Sequence, residues 1–187
     1  MAQAAVWQLL FVVRGARHDQ VAQLAERGIV ILRGVRPEEV AELVAEAMEP
    51  VLKPLLASEV VGAAHGYRAQ GRRVYIVSTA LQEIVDAVVA DLGLDGGVGT
   101  VCEVVDGRYT GRAVRPLHGE AKAEALRELA ARDGLDLAAS TAYSDSHSDL
   151  PFLEAVGHPV AVNPDRALRK LAEARGWRIL EARRRAA

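Results

Sequence analysis

Short apolar runs alternate with segments of helical periodicity from residue 72 onward, and this alternation constrains the fold more than any other feature. Strands are predicted at residues 74–77, 140–143, 159–162 and 177–180. Helices are predicted at residues 81–92, 120–132, 150–156 and 166–175. Because parallel strands need crossover connections of about this length, the pattern predicts an α/β fold with a parallel sheet and right-handed crossovers.

One connection in this part of the chain has a different pattern. An alternating stretch at residues 98–105 meets Asp106-Gly107, a pair favoured in two-residue hairpin turns, and the chain returns through residues 108–111. This segment is therefore predicted to form an antiparallel hairpin.

The residues before position 70 have helical patterns. Pro37 followed by two glutamates marks a helix start, because proline suits the first turn and acids suit the positive end of the helix dipole. Further helical segments are predicted at residues 4–13 and 18–27. The sequence thus predicts a helical region over residues 1–70 and an α/β core over residues 71–187.

The stretch from Tyr143 to Pro151 sets Asp145 and Asp149 four residues apart, where a predicted strand turns into a helix. Mg²⁺ prefers oxygen ligands and is usually held by one or two carboxylates beside a phosphate. Asp145 is the better candidate ligand, with Asp149 orienting water or a lysine. Alternatively, Asp145 or Ser148 caps the helix and Asp149 interacts with its dipole.

Ser78 follows a predicted buried strand, and open α/β sheets place ligands at the carboxyl ends of their strands. Its hydroxyl and the amides of Thr79 and Ala80 can hold phosphate oxygens if a helix begins there. The alternative is a simple helix cap.

Lys122 lies in the first turn of a predicted helix and is one of three lysines in the chain. A cation near a phosphate would offset the charge of the transition state. The alternative is an exposed lysine on an amphipathic helix. His147 is interpreted as an exposed loop residue or a selectivity residue, because magnesium does not need imidazole.

Composition excludes several classes of partner. The net charge is −2 across 187 residues, which leaves no electrostatic footprint for nucleic acid. The apolar run at residues 6–13 is shorter than the ~20 residues that span a bilayer, so no membrane partner is expected. The lone Cys102 fits a reducing, cytoplasmic compartment. The sequence leaves the oligomeric state open.

Ser78, Lys122 and Asp145-x-x-x-Asp149, in this order, resemble motifs two, three and four of the haloacid dehalogenase (HAD) superfamily. The similarity is greatest to its phosphoserine phosphatase-like branch, subfamily IB. It implies a HAD-type Rossmann-like fold with a three-layer parallel sheet and an N-terminal helical cap, of which residues 1–70 are a part. It also implies that Ser78, Lys122 and the two aspartates converge at the carboxyl edge of one sheet.

The same resemblance implies a chemistry. Family members hydrolyse phosphate monoesters through an aspartyl-phosphate, with Mg²⁺ as cofactor and a small phosphorylated molecule as substrate. In this chain it would make Lys122 and Asp149 catalytic. Ser78, Thr79 and Ser148 would bind phosphate or substrate, and Asp145 would bind the metal.

The first family motif is missing from the sequence. Family members begin with a central strand that ends in Asp-x-Asp, and this chain contains no Asp-x-Asp. Because an empty strand slot would orphan buried backbone groups at ~1 to 3 kcal/mol each, a truncated or misplaced start is expected. The rival hypothesis is a non-catalytic protein that binds a phosphorylated ligand or a partner.

Residues 29–32, Ile-Val-Ile-Leu, can be interpreted in two ways. Their β-branched content between two glycines is typical of a buried strand, which could fill the empty slot. The resemblance instead makes them the end of a cap helix, and we prefer this interpretation.

Overall fold

A computed structural model describes residues 29–182, which form two compact units, residues 29–116 and residues 117–182. The segments predicted as helices at residues 4–13 and 18–27, and the apolar run at residues 6–13, lie outside the described residues. None of the helices within 29–182 is long and apolar enough to cross a membrane.

The first unit combines helices with a three-stranded sheet. Its elements are α1 (Pro37–Ala47), a π-helical turn (Met48–Leu52), α2 (Lys53–Leu55), α3 (Ser58–Ala69), β1 (Tyr75–Leu81), α4 (Gln82–Leu92), β2 (Gly96–Val105) and β3 (Arg108–Arg115). The sheet order is β1-β2-β3, with β1 parallel to β2 and β2 antiparallel to β3.

Residues 29–31 are helical, and a turn at residues 32–34 ends the helix. Ile29 and Leu32 are buried, whereas Val30 and Ile31 are exposed, which is the one-sided burial that an i, i+3 spacing produces. The interpretation of this run as the end of a helix is therefore confirmed, and the alternative of a strand is wrong. The β-branched residues are accommodated because this helix end contributes only one face to the core.

The apolar core of this unit contains residues from both sides of the predicted boundary at residue 70. Buried side chains from before that point, including Leu32 and Val44, belong to the same cluster as Leu81, Cys102 and Tyr109. The backbone amide of Gly34 donates to the Tyr109 carbonyl at 2.8 Å, which ties the end of the helix to β3. The division into a helical region and a core at residue 70 stays a prediction, since this compact unit extends across it.

The predicted hairpin is confirmed. Asp106 and Gly107 both have positive φ, 51° and 72°, as the two central positions of a type I′ turn require. The paired strands are longer than predicted because β2 begins at Gly96, where it pairs with β1. At Gly99 an added Cβ would lie 2.8 Å from the Cα of Gln82, so glycine permits this close approach of β2 to the start of α4.

The second unit is an α/β arrangement with a wholly parallel sheet. Its elements are α5 (Glu120–Asp133), β4 (Thr141–Ser144), a 3₁₀ turn (His147–Asp149), α6 (Leu150–Glu154), β5 (His158–Val162), α7 (Arg166–Arg175) and β6 (Arg178–Leu180). The sheet order is β4-β5-β6 with parallel pairing throughout. The predicted alternation of strands and helices is confirmed here to within two residues at each end.

Candidate active site

A cluster of polar side chains lies where β4 ends in the second unit. Ser144 is the last residue of β4, Asp149 closes the following 3₁₀ turn, and Lys122 lies in the first turn of α5. The ammonium of Lys122 donates to Oδ2 of Asp149 at 2.5 Å, and the hydroxyl of Ser144 donates to the same oxygen at 2.6 Å. Lys122 and Asp149, which were both predicted as site residues and lie 27 positions apart in the sequence, are thus in direct contact.

The Lys122–Asp149 pair is buried, with 8% of Lys122 and 6% of Asp149 exposed. The ammonium also lies 5.4 Å from the centroid of the Phe152 ring, within the range of a cation–π contact. Lysine and aspartate are almost never fully buried unless they are paired. The interpretation of Lys122 as an exposed surface lysine is therefore wrong.

Asp145 follows β4 directly and is exposed. Its carbonyl accepts a hydrogen bond from the Asp165 amide at 2.9 Å, which holds the loop against the start of α7. The cap of the 3₁₀ turn is Ser146, whose hydroxyl accepts from the Ser148 amide at 3.2 Å. The N-cap position of this turn is therefore held by Ser146, and not by Asp145 or Ser148 as the alternative expected.

Ser78 and Thr79 lie in the first unit, and their surroundings differ from the expectation. The expected helix start at residue 81 is wrong by one position, and β1 continues past Ser78 to Leu81. The Ala80 amide donates to the Ser78 hydroxyl at 3.1 Å, and the Thr79 carbonyl accepts from Thr100 at 2.9 Å. Ser78 therefore lies inside the strand, because Leu81 still pairs with Thr100 of β2.

Sequence reasoning missed two residues of the second unit. Ser144 was not singled out, although it follows a predicted strand as Ser78 does, so its position did carry a signal. Asp165 had a signal, since an aspartate directly before a helix is a typical N-cap. Its carboxylate accepts from the Leu168 amide at 2.8 Å and from the His147 amide at 2.7 Å.

The electrostatics of Asp165 reflect these contacts. Burial acts to raise the pKa of its carboxyl, but the amides of Leu168, His147 and Ala167 outweigh it and leave the pKa below its usual value. Backbone donors favour the ionised form of a carboxyl. Asp165 is therefore a firmly ionised acceptor at neutral pH.

The side chains near the end of β4 meet only some of the requirements of a Mg²⁺ site. Residues 29–182 contain no group of three or more His, Cys, Asp or Glu side chains that could hold a metal ion. Asp145 offers a carboxylate of the right chemical type, and Mg²⁺ accepts one or two carboxylates with water and phosphate as further ligands. The described residues therefore fit a magnesium site in ligand type but supply only part of its ligands.

The model of the haloacid dehalogenase-like hydrolase family matches residues 2–154. The chain belongs to this family. The predicted HAD-type α/β fold, with parallel strands and covering helices, is thereby confirmed, as is the similarity to the phosphoserine phosphatase-like branch.

Three known proteins illustrate the relationship. The "Inhibition of morphological differentiation protein" of Streptomyces azureus is 43% identical over 95% of this chain and 64% of its own length. A phosphoserine phosphatase of Mycobacterium tuberculosis is 49% identical over 60% of this chain and 37% of its own. The crystal structure of a Bordetella pertussis protein of unknown function is 34% identical, with a TM-score of 0.77 over 93% of this chain and 79% of its own.

The chain is shorter than these relatives. It spans 59 to 64% of the length of the curated relatives that match more than 90% of it.

Proposed function

We propose that this chain is the cap and C-terminal part of a Mg²⁺-dependent phosphomonoester hydrolase of the phosphoserine phosphatase-like branch. The observation that carries the proposal is the buried contact of Lys122, Asp149 and Ser144 at the end of β4. A buried cation at the carboxyl end of a parallel strand suits an anionic ligand, because open α/β sheets bind ligands at this edge.

Each residue of the second unit has a role in this proposal. Lys122 neutralises charge on the phosphoryl oxygens, and Asp149 together with the Phe152 ring holds its ammonium in place. Ser144 orients the shared carboxylate oxygen of Asp149. Asp145 holds the Mg²⁺, which would supply further positive charge at the transferring group.

Ser78, Thr79 and Ser148 are proposed to bind the phosphate or the substrate. Ser148 is exposed at the 3₁₀ turn, and its hydroxyl lies 2.9 Å from that of Ser146. Ser78 uses its hydroxyl to accept from Ala80 but retains a proton to donate. Hydroxyl donors of this kind are suited to phosphate oxygens.

We further propose that a segment upstream of this sequence supplies the nucleophilic aspartate. The sequence contains no Asp-x-Asp, and the described carboxylates supply only part of a magnesium site. Relatives longer than this chain support the idea. A small phosphorylated metabolite in the cytoplasm is the proposed substrate, in keeping with the phosphatase names of several relatives.

A second candidate function is binding of a phosphorylated ligand without turnover. The missing Asp-x-Asp favours it, because the remaining residues can neutralise a phosphate but cannot form the covalent intermediate. The coding sequence upstream of Met1, read in the same frame, distinguishes the two candidates. The enzyme requires an upstream strand that ends in Asp-x-Asp, and the binding protein does not.

Phosphatase assays of two forms separate the candidates. The chain as given should hydrolyse an aryl phosphate no faster than background in Mg²⁺. A form extended through an upstream Asp-x-Asp should turn over, and Asp145→Asn or Lys122→Met should reduce the rate at least ~100-fold. Lys170→Met, at an exposed position on α7, is the matched control and should leave the rate unchanged.

Other outcomes would decide against the enzyme. A stop codon directly upstream, or an extended form that binds inorganic phosphate but shows no turnover, would favour the binding protein. Strong activity of the chain as given, abolished by Asp145→Ala, would show that the nucleophile lies within this sequence.

A further inference from the structure

Hydrogen bonds of Asp165 connect two loops of the second unit. The first loop follows β4 and carries Asp145 and His147, and the second connects β5 to α7 and carries Asp165. The Asp165 amide donates to the Asp145 carbonyl at 2.9 Å, and the His147 amide donates to Oδ2 of Asp165 at 2.7 Å. Asp165 thus contacts the first loop on both sides of Ser146.

The carboxylate of Asp165 has more acceptor capacity than helix capping requires. Its Oδ1 accepts from the Leu168 amide at 2.8 Å, which is the ordinary N-cap bond of α7. The second oxygen, Oδ2, is used for the His147 amide. A serine can also cap a helix, but it has no second oxygen for the His147 amide, so this second contact requires the carboxylate.

The second loop is itself held in place. Asn163 has a φ of 43°, and its side chain bonds Ala182 in both directions, donating at 2.8 Å and accepting at 2.9 Å. The next residue, Pro164, is buried and fixes its own φ. The loop that carries Asp165 is therefore anchored to the segment that follows β6.

We infer that Asp165 is a positioning residue that fixes the loop carrying Asp145, and so sets the direction of the carboxylate proposed to hold Mg²⁺. This inference rests on the proposed function, because Asp145 has a metal to position only in that case. Groups that orient a ligating carboxylate typically change metal affinity about 10- to 100-fold when they are removed.

The test compares Asp165→Ser with Asp136→Ser in the full chain. Asp136 is the matched control, because its carboxylate accepts from the amides of Ala138 and Ala139 in an exposed turn between α5 and β4. Amide hydrogen exchange by NMR is measured first without metal. In Asp165→Ser we expect the His147 amide to exchange at least ~10-fold faster while the Leu168 amide keeps its protection.

A Mg²⁺ titration of both variants, each made in the form extended through the upstream Asp-x-Asp, gives the functional readout. We expect the dissociation constant to rise about 10- to 100-fold in Asp165→Ser and to stay unchanged in Asp136→Ser. An unaltered His147 amide, or equal Mg²⁺ affinity in the two variants, would overturn the inference. If the unsubstituted form extended through the upstream Asp-x-Asp takes up no Mg²⁺ although the His147 amide loosens in Asp165→Ser, the metal requirement of the proposed function fails and the positioning role fails with it.

Discussion

The two units of the molecule bury ionisable groups in opposite ways. In residues 117–182 the buried ionisable groups are a charged pair, Lys122 and Asp149. In residues 29–116 the buried groups Cys102 and Tyr109 are kept neutral, since burial raises the pKa of both. There the ion pair of Arg112 with Glu103 lies near the surface, with 72% of the arginine side chain exposed.

This difference bears on the role proposed for the charged pair of the second unit. A buried ion pair is weak evidence for stability, because the cost of removing both charges from water can exceed their attraction. A chain that needed only a core in the second unit could place apolar residues there, as it does around Tyr109. The buried charged pair therefore supports the role proposed for Lys122 and Asp149, whereas the neutral buried groups are explained by packing.

The largest expected effect comes from removing one partner of the buried pair. Asp149→Ala leaves the Lys122 ammonium buried without its carboxylate, and we expect a loss of about 3 to 5 kcal/mol in the free energy of unfolding. Chemical denaturation measures it. The control is the double variant Lys122→Met with Asp149→Leu, which should recover most of the loss. A single variant as stable as the unsubstituted chain would contradict the comparison.

A smaller effect is expected from the neutral thiol of the first unit. Burial, and to a lesser degree the charge of Glu83, raises the pKa of Cys102 from 9.0 to about 11. Below pH 9 the thiol is protonated in both states, and above it the unfolded state ionises first, so stability falls between about pH 9 and 11. At about 1.4 kcal/mol per pKa unit, the loss is on the order of 3 kcal/mol.

Cys102→Ala is the variant that isolates this contribution. Its free energy of unfolding, measured by denaturation at pH 8 and pH 11, should fall less over this range than that of the unsubstituted chain. An equal fall in both proteins would show that the thiol is not held neutral. The contrast between the two units would then depend on Tyr109 alone.

The smallest effect is expected at the exposed pair. Arg112→Ala removes the partner of Glu103, but Glu103 keeps the Thr110 hydroxyl at 2.6 Å and contact with water. Exposed pairs contribute little because solvent screens them. We expect a change in melting temperature close to the limit of detection, and a large fall on calorimetry would show that the surface network stabilises the hairpin.

Local patterns were enough to predict much of the fold. The type I′ turn at Asp106-Gly107 and the strand–helix order of the second unit follow from neighbouring residues, and the structure confirms both. The end of β1 could not be predicted from neighbouring residues. Its continuation to Leu81 depends on pairing with Thr100, which lies 19 residues away in β2.

By itself, the sequence determined which residue types stand at strand and helix ends, because turn chemistry and periodicity act over a few neighbours. The serine, lysine and aspartates of the candidate site were candidates on that basis, and only their order along the chain, through the resemblance to the family motifs, joined them into one predicted site. Only the tertiary structure decided that Lys122 and Asp149 share a buried contact, and that Ser144 and Asp165 support it and the adjacent loop. The physical reason is that burial and hydrogen bonding between distant segments arise from packing, which no local pattern encodes.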